Sequence, residues 1–486
     1  MLSKEDFLKS ALLAIEDNTV IEKWQNGDPV TTQQIQSIAI FFALLSQEIE
    51  IALNEPFAKT RDRSILADAT NKGILPTAIP HRHKISLHNK SDNLISISQG
   101  RLIEDSEGGR TWRLLTAVNA QAGETITAVV EQSEYREINY TVPRTEMFHR
   151  YAVELQPSSY LASLAVQDTL TPRNYYVYKP RLLSTLPDEM AYTLNTDEKR
   201  RIFVEWGADG RVGRTVKAGE NFIIALWETE GEIDTTKLKD ASLQSVNTTD
   251  EQRLVIKFVD AGTVQTGTNP YTIEQLRLLT SYGSVYDGSA VFLGDFDFAV
   301  RKLLLNRTFH SVVWNEKIHE NYYEDDQSVK YINHLFVAFA PKNMNEKALL
   351  QEQVSNLLAS QDNLYIDSTI FIDLKEIEYP IKITGQIASV YDLDTVKAQI
   401  TALLINNYGR TSLMAHRWFP NGFKVQGIAN LLRTKIQAFQ DNFGDFTITV
   451  NDKVQYKPHE WIYITEKSIT VSLDRTAETS GVGFFV

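Results

Sequence analysis

An apolar seam runs along a predicted helix from Thr32 to Asn54 and constrains the fold more than any other feature of the chain. Its members follow a spacing of 3-4-3-4-3 residues and are Ile35, Ile38, Phe42, Leu45, Ile49 and Ala52. This spacing is typical of a coiled coil, in which one stripe of a helix packs against a partner helix. A second stripe beside the first consists of Phe41, Leu44 and Ile51. A helix that is apolar on two faces has to be buried on two faces.

Two interpretations of the seam remain open from the residues alone. The helix is buried inside a small domain of its own chain, or helices from other chains complete a bundle around it. Residues 1–75 are predicted to be helical, with a break at Asn26–Pro29 and a stop before Pro56. Gly73 then ends a last helix, because Pro76 blocks its continuation. We therefore expect residues 1–75 to form a helical arm, and the family resemblance described below implies that this arm joins an inter-chain bundle.

A period-two alternation replaces the helical pattern in residues 76–235 and predicts a β-rich domain. One hairpin is predicted within residues 201–213, where an apolar strand is followed by a glycine-rich turn. Glycine adopts the positive φ angles that tight hairpin turns require. The predicted structural positions of this hairpin are Trp206, Gly207, Asp209, Gly210 and Gly213.

The rest of the chain divides into two predicted segments. Residues 236–330 have a mixed pattern and are interpreted as an α+β insert. Residues 331–486 follow the order β-α-β-β-α-α-β, which indicates helices packed on a sheet in two layers. The predicted fold class is therefore α+β multidomain, with an N-terminal helical arm, central β-rich domains and a C-terminal two-layer α/β domain.

Composition excludes several kinds of chemistry. The chain has no cysteine, which excludes disulfides, cysteine-ligated zinc, iron–sulfur clusters and thiol nucleophiles. Its 62 acidic and 49 basic residues give a net charge of −13, which argues against non-specific binding of nucleic acid. The longest apolar run, residues 38–45, is too short to span a bilayer. The acidic N-terminal residues are also unlike the basic start of a secretory leader, so none is expected.

The sequence contains none of the common catalytic motifs. It has no phosphate-binding loop, no Gly-x-Ser-x-Gly elbow and no His-Glu-x-x-His pattern. The best metal candidate is His81 with His83 and His88, because alternate positions of a strand point the same way. A polar junction between a loop and a strand is the simpler interpretation. We therefore expect no catalytic residue, no metal and no cofactor.

A series of short segments extends over most of the chain in a characteristic order. They are Ser64–Ala69, Lys72–Pro76, Gly100–Asp105, Gly109–Trp112, Gly123–Thr125, Val204–Gly210, Gly213 and Ala218–Glu220. Together with the N-terminal helices and the C-terminal βα order, they make the chain similar to the baseplate J-like, inner baseplate wedge proteins of contractile-tailed bacteriophages. One departure is Trp206, where that family usually has Phe or Tyr. Residues 236–330 are not matched.

The resemblance implies a structural component of a phage tail baseplate in the virion, made in the bacterial cytoplasm, and not an enzyme. Two copies and another baseplate wedge protein would form each wedge, and six wedges would ring the central hub and rearrange on sheath contraction. The N-terminal helices would join in a trimeric bundle, and the C-terminal regions in dimer contacts. The implied partners are a second copy of the chain, another wedge protein, the hub or spike, and sheath- or tube-proximal baseplate proteins. No nucleic acid or membrane is implied.

Two other functions remain open from the sequence. A tail-associated receptor or polysaccharide-binding protein would carry exposed aromatic residues on a β-rich chain. A hydrolase would need a deep cleft with a carboxyl group of raised pKa.

Overall fold

The computed structural model describes residues 4–58, 61–169, 175–282, 290, 292–323, 331–361, 368–440, 444–450 and 455–476. The α-helices of these residues are α1 Lys4–Ala14, α2 Asn18–Gln25, α3 Pro29–Ala58, α4 Asp62–Asn71, α5 Ile273–Thr280, α6 Leu293–Leu304, α7 Glu316–Tyr322, α8 Lys347–Gln361, α9 Leu393–Tyr408 and α10 Val425–Lys435. The first strands are β1 Arg82–Asn89, β2 Ile95–Ile97, β3 Leu102–Asp105, β4 Thr111–Leu114, β5 Val118–Ala120, β6 Thr125–Gln132, β7 Glu134–Thr141, β8 Arg150–Ala152, β9 Tyr160–Asp168, β10 Tyr175–Tyr178, β11 Ala191–Thr196 and β12 Ile202–Trp206. The later strands are β13 Asn221–Thr229, β14 Asp240–Leu243, β15 Leu254–Gln265, β16 Thr308–Asn315, β17 Leu335–Pro341, β18 Thr369–Phe371, β19 Lys375–Glu378, β20 Ile381–Ile387, β21 Asp445–Val450, β22 Glu460–Tyr463 and β23 Ile469–Arg475. Helices and several separate sheets confirm the predicted α+β multidomain class.

Six strands close a barrel in the order β1-β15-β14-β3-β4-β6, and β6 pairs back with β1. Trp112 is fully buried in its core, together with Leu87 and Val130. The barrel shows that the predicted domain boundary at residue 235 is wrong, because β14 and β15 lie beyond it and complete the ring. The sequence pattern did not predict the closure of the barrel, because the pairing between β1 and β15 joins segments that are distant in sequence.

A seven-stranded sheet is inserted between β6 and β14 of the barrel, in the order β7-β13-β9-β10-β11-β12-β8. All its pairs are antiparallel except β10 with β11. Strand β13 lies between β7 and β9 and pairs antiparallel with both. The sheet buries its own core, which includes Trp206, Phe222 and Ile224.

The described residues of the C-terminal half form several hydrophobic cores, two of which lie between helices and a three-stranded sheet, where the sequence predicted one domain from residue 331. In the first, β16, β17 and β18 form a sheet against α6 and α8. In the second, β21, β20 and β23 form a sheet against α9 and α10. The boundary at residue 330 is also wrong, because β16 precedes it and pairs with β17 along seven positions. Each core has helices on one sheet, so the predicted two-layer arrangement occurs twice.

Helix α4 belongs to the body of the protein and not to the arm predicted for residues 1–75. Ile65 and Ala69 are buried in a core that they share with Leu276 and Phe298. The positive φ of +63° at Gly73 ends this segment as predicted. The arm is thus α1 to α3, and α4 is the root that attaches it to the body.

Candidate functional site

The arm begins with two short helices and continues in the long helix α3. Asp28 starts α3, because its carboxylate accepts hydrogen bonds from the Thr31 amide at 2.9 Å and hydroxyl at 2.7 Å. Pro29 occupies the first helical position, where an N–H group would have no helical partner. The predicted break before it is confirmed, but α3 continues through Pro56, whose ring removes a hydrogen bond only from the last turn. With 30 residues the helix is about 45 Å long.

Helices α1 and α2 pack on α3 along a narrow line of small residues. Ala39 is 2% exposed, and Ala43 and Ser46 are half-buried on the same line. The ring of Phe7 on α1 stacks against Phe42, with 5.9 Å between the ring centroids. Contact within the chain therefore uses the face beside the predicted seam and covers the seam itself only at its border.

The predicted seam is largely exposed to solvent. Its exposed fractions are 56% for Ile38, 45% for Phe42, 43% for Leu45 and 51% for Ile49, while Ile35 is half-buried and Ala52 exposed. The second stripe is similarly open at Phe41 and Leu44, and the Ile51 side chain lies outside the described residues. The described part of the chain therefore does not bury α3 in a small domain of its own.

The sequence reasoning missed further exposed apolar residues of α3. Ile40 and Leu53 are 44% and 70% exposed and lie outside the two predicted stripes. Leu53 follows Ile49 by four residues, so it lies beside the seam about one helical turn further along. Ile40 completes a run in which every residue from 38 to 45 is apolar, so this part of α3 is apolar all round. We call these residues, with the seam, the α3 apolar face.

The α3 apolar face exposes aliphatic and aromatic side chains to solvent. Monomeric soluble proteins rarely expose contiguous apolar patches of this kind, and larger ones mark interaction sites. Among the described residues, no helix combines the length and the apolar character needed to cross a membrane. Helices from other protein chains are partners that bury such a face along its length.

The predicted hairpin positions form a compact loop at the end of β12 and not a two-stranded hairpin. Trp206 is fully buried and stacks on Phe222 at 5.3 Å, so its difference from the family pattern is a change inside the core. Strand β12 pairs with β8 and β11, and only a single bridge joins the two arms of the loop. A return strand is therefore absent from this described segment, because β12 already has neighbours on both edges.

The glycines and Asp209 of this loop have defined structural roles. A Cβ atom on Gly207 would lie 2.0 Å from a backbone carbonyl oxygen, so only glycine fits. Gly210 and Gly213 have φ angles of +69° and +61°. The Asp209 carboxylate accepts a hydrogen bond from the Thr215 amide at 2.7 Å and closes the loop. These positions fix the course of the backbone after β12.

The histidines considered for metal binding are used in hydrogen bonds. The Gly267 amide donates to Nδ1 of His81 at 3.2 Å, which leaves Nε2–H of His81 to donate to Nδ1 of His83 at 3.3 Å. Nε2–H of His83 then donates to the Val259 carbonyl at 2.9 Å. Burial lowers the pKa of His81 to about 4, so the pair is neutral near pH 7. His88 instead contacts the Thr125 hydroxyl at 2.9 Å. The described residues contain no cluster of three or more metal-ligating side chains.

No protein-family model matches the chain, and no curated protein matches it.

Proposed function

We propose that this chain is a structural subunit of a contractile-tail baseplate, of the kind that its resemblance to inner wedge proteins implies. The α3 apolar face is the surface through which it joins other subunits. A second copy of the chain and another wedge protein supply the helices that cover this face. The main observation behind the proposal is the solvent exposure of Ile38, Phe42 and Ile49. They lie on a helix whose apolar stripes are typical of a buried helix.

The packing of the arm supports a shared bundle. Helix α1 covers the side of α3 marked by Ala39, and the large side chains remain open on the adjacent sides. Because α3 is apolar all round between residues 38 and 45, one further helix does not cover it. At least two more helices are needed, as in a bundle that several chains build together.

The body of the chain provides the remaining proposed contacts. By resemblance, the C-terminal region makes dimer contacts that close the ring, and other surfaces meet the hub or spike and the sheath- or tube-proximal proteins. Rearrangement on sheath contraction is then a rigid-body movement of packed units with different contacts in two ring states.

Quantitative peptide mass spectrometry on purified contractile particles from the source lysate tests the proposal. We expect this chain at a fixed ratio in the particles, about twice that of another wedge protein, since two copies per wedge are expected. Its presence free in the lysate and absence from particles contradicts the proposal. A variable ratio between preparations contradicts it as well, because a ring has a fixed number of subunits.

A further inference from the structure

A cavity of about 400 Å³ lies where the root of the arm, the seven-stranded sheet and helix α6 meet. Its walls are mostly apolar and include Ile74, Leu161, Leu164 and Leu194. The amino group of Lys302 is the cationic group among the residues that line it. This volume lies in the usual range of small-molecule sites, about 300 to 1,000 Å³, and such sites combine apolar walls with a few polar groups.

Lys302 lacks a counter-ion in the described part of the chain. Its Nζ donates to the carbonyl of Gly73 at 2.9 Å and approaches that of Lys72 at 3.4 Å. A lysine ammonium has three N–H donors, so one remains for another acceptor. Among the described residues no carboxylate forms an ion pair with it, and burial and the nearby Arg181 guanidinium lower its pKa to about 8. A partly buried charge without an opposite charge is unfavourable, and a bound anion would correct this.

We propose that this cavity binds a small carboxylate with an apolar body, such as a medium-chain fatty acid. Its carboxylate accepts the remaining N–H of Lys302, and its chain lies against Leu161 and Leu164. Inorganic phosphate fits less well, because it needs several donors and the walls supply mainly apolar surface. This inference does not depend on the proposed assembly function.

The neighbours of Lys302 keep their charge between pH 7 and 9. Burial raises the pKa of Tyr178 and that of Tyr271, so both phenols stay protonated. Arg181 remains a cation, since guanidinium groups do not titrate in this range. Lys72 is paired with Asp68 at 3.1 Å. The amino group of Lys302 is thus the cavity group whose charge changes, and affinity for a carboxylate should fall about tenfold from pH 7 to 9.

Isothermal titration calorimetry of the full chain with octanoate tests the inference, with acetate and inorganic phosphate as comparison ligands. Lys302→Met removes the charge and keeps the length of the side chain. Ala162→Phe fills the cavity from the sheet side and leaves the amine in place. We expect octanoate to bind the unchanged chain, with at least tenfold weaker binding by both variants and no measurable binding of acetate.

Three results would overturn the inference: no octanoate binding at millimolar concentration, equal binding by Lys302→Met, or tighter binding of phosphate than of octanoate. Circular dichroism checks that each variant is folded. If Lys302→Met fails to fold, octanoate binding by the Ala162→Phe variant and the pH dependence of binding by the unchanged chain test the inference instead. An affinity that does not change between pH 7 and 9 also contradicts a role for Lys302.

Discussion

Replacing Phe42 by Asp should abolish association through the arm and leave the body folded. The Phe42 ring lies at the border between the α1 contact and the open seam, and 45% of it is exposed. Within the chain, the change removes its stacking on Phe7, which is worth about 1 kcal/mol. The body has separate cores in the barrel and the sheets, so this loss stays in the arm.

The effect on assembly is larger than the effect on the isolated chain. Full burial of a Phe side chain contributes about 1.5 to 3 kcal/mol, so covering the exposed part contributes about 1 kcal/mol. An aspartate in the same apolar contact adds a desolvation cost of several kcal/mol, because no basic residue lies among positions 38–45. A total of about 4 kcal/mol weakens association about 1,000-fold for each helix. The factor applies twice in a wedge with two copies.

Co-purification of tagged and untagged copies with the other wedge protein measures this loss. Gln47→Asp is the matched control, because it adds the same charge at an exposed polar position of α3. We expect Gln47→Asp to assemble normally, and both variants to keep the near-ultraviolet circular dichroism of the body. Normal assembly by Phe42→Asp would refute the argument that the α3 apolar face is an interface.

Three further predictions concern the stability of the body. Arg307→Met should lower the free energy of unfolding by about 3 kcal/mol or more, because it leaves the Glu346 carboxylate buried without the partner that now lies 2.8 Å away. Urea titration measures this, and replacing both residues by Met should restore most of the loss. Burial lowers the pKa of His310 and His416 from 6.5 to about 3. Between pH 3 and 6.5 these two histidines are therefore protonated in the unfolded chain and neutral in the folded chain. Stability should therefore fall as the pH is lowered from about 6.5 towards 3, and Asn at both positions should flatten this slope in thermal unfolding. Gly207→Ala should lower the thermal midpoint strongly, since its Cβ would lie 2.0 Å from a carbonyl oxygen, and an unchanged midpoint contradicts that reasoning.

In the loop after Trp206, the local glycine pattern predicted the backbone conformation but not the strand pairing. Glycine-rich turn chemistry predicts the positive φ of Gly210 and Gly213, and both occur. The same pattern suggests a return strand, which is absent from this loop because β8 and β11 already pair with β12. Pairing with distant strands competes with a local hairpin, and sequence periodicity carries no information about that competition.

The α3 apolar face shows a similar division between sequence and structure. Its spacing predicts one buried stripe on Ile38 and Phe42, but the chain buries the adjacent line of small residues at Ala39 instead. Periodicity shows that a face needs a partner and does not show which partner covers it. Lys302 carried no sequence signal, because its position beside the carbonyl of Gly73 depends on helix α6 meeting the root of the arm.

The sequence by itself determined the α+β class, the long N-terminal helix with its apolar seam and the break before Pro29, because each depends on local periodicity or on turn residues. Only the tertiary structure decided where the domains divide. The barrel closes through β14 and β15, and β16 joins β17 across the predicted boundary, since hydrogen bonding between distant strands is a property of the folded chain. It also decided that the seam stays open, because the small residues of α3 allow the closer approach of α1 and the large ones remain exposed.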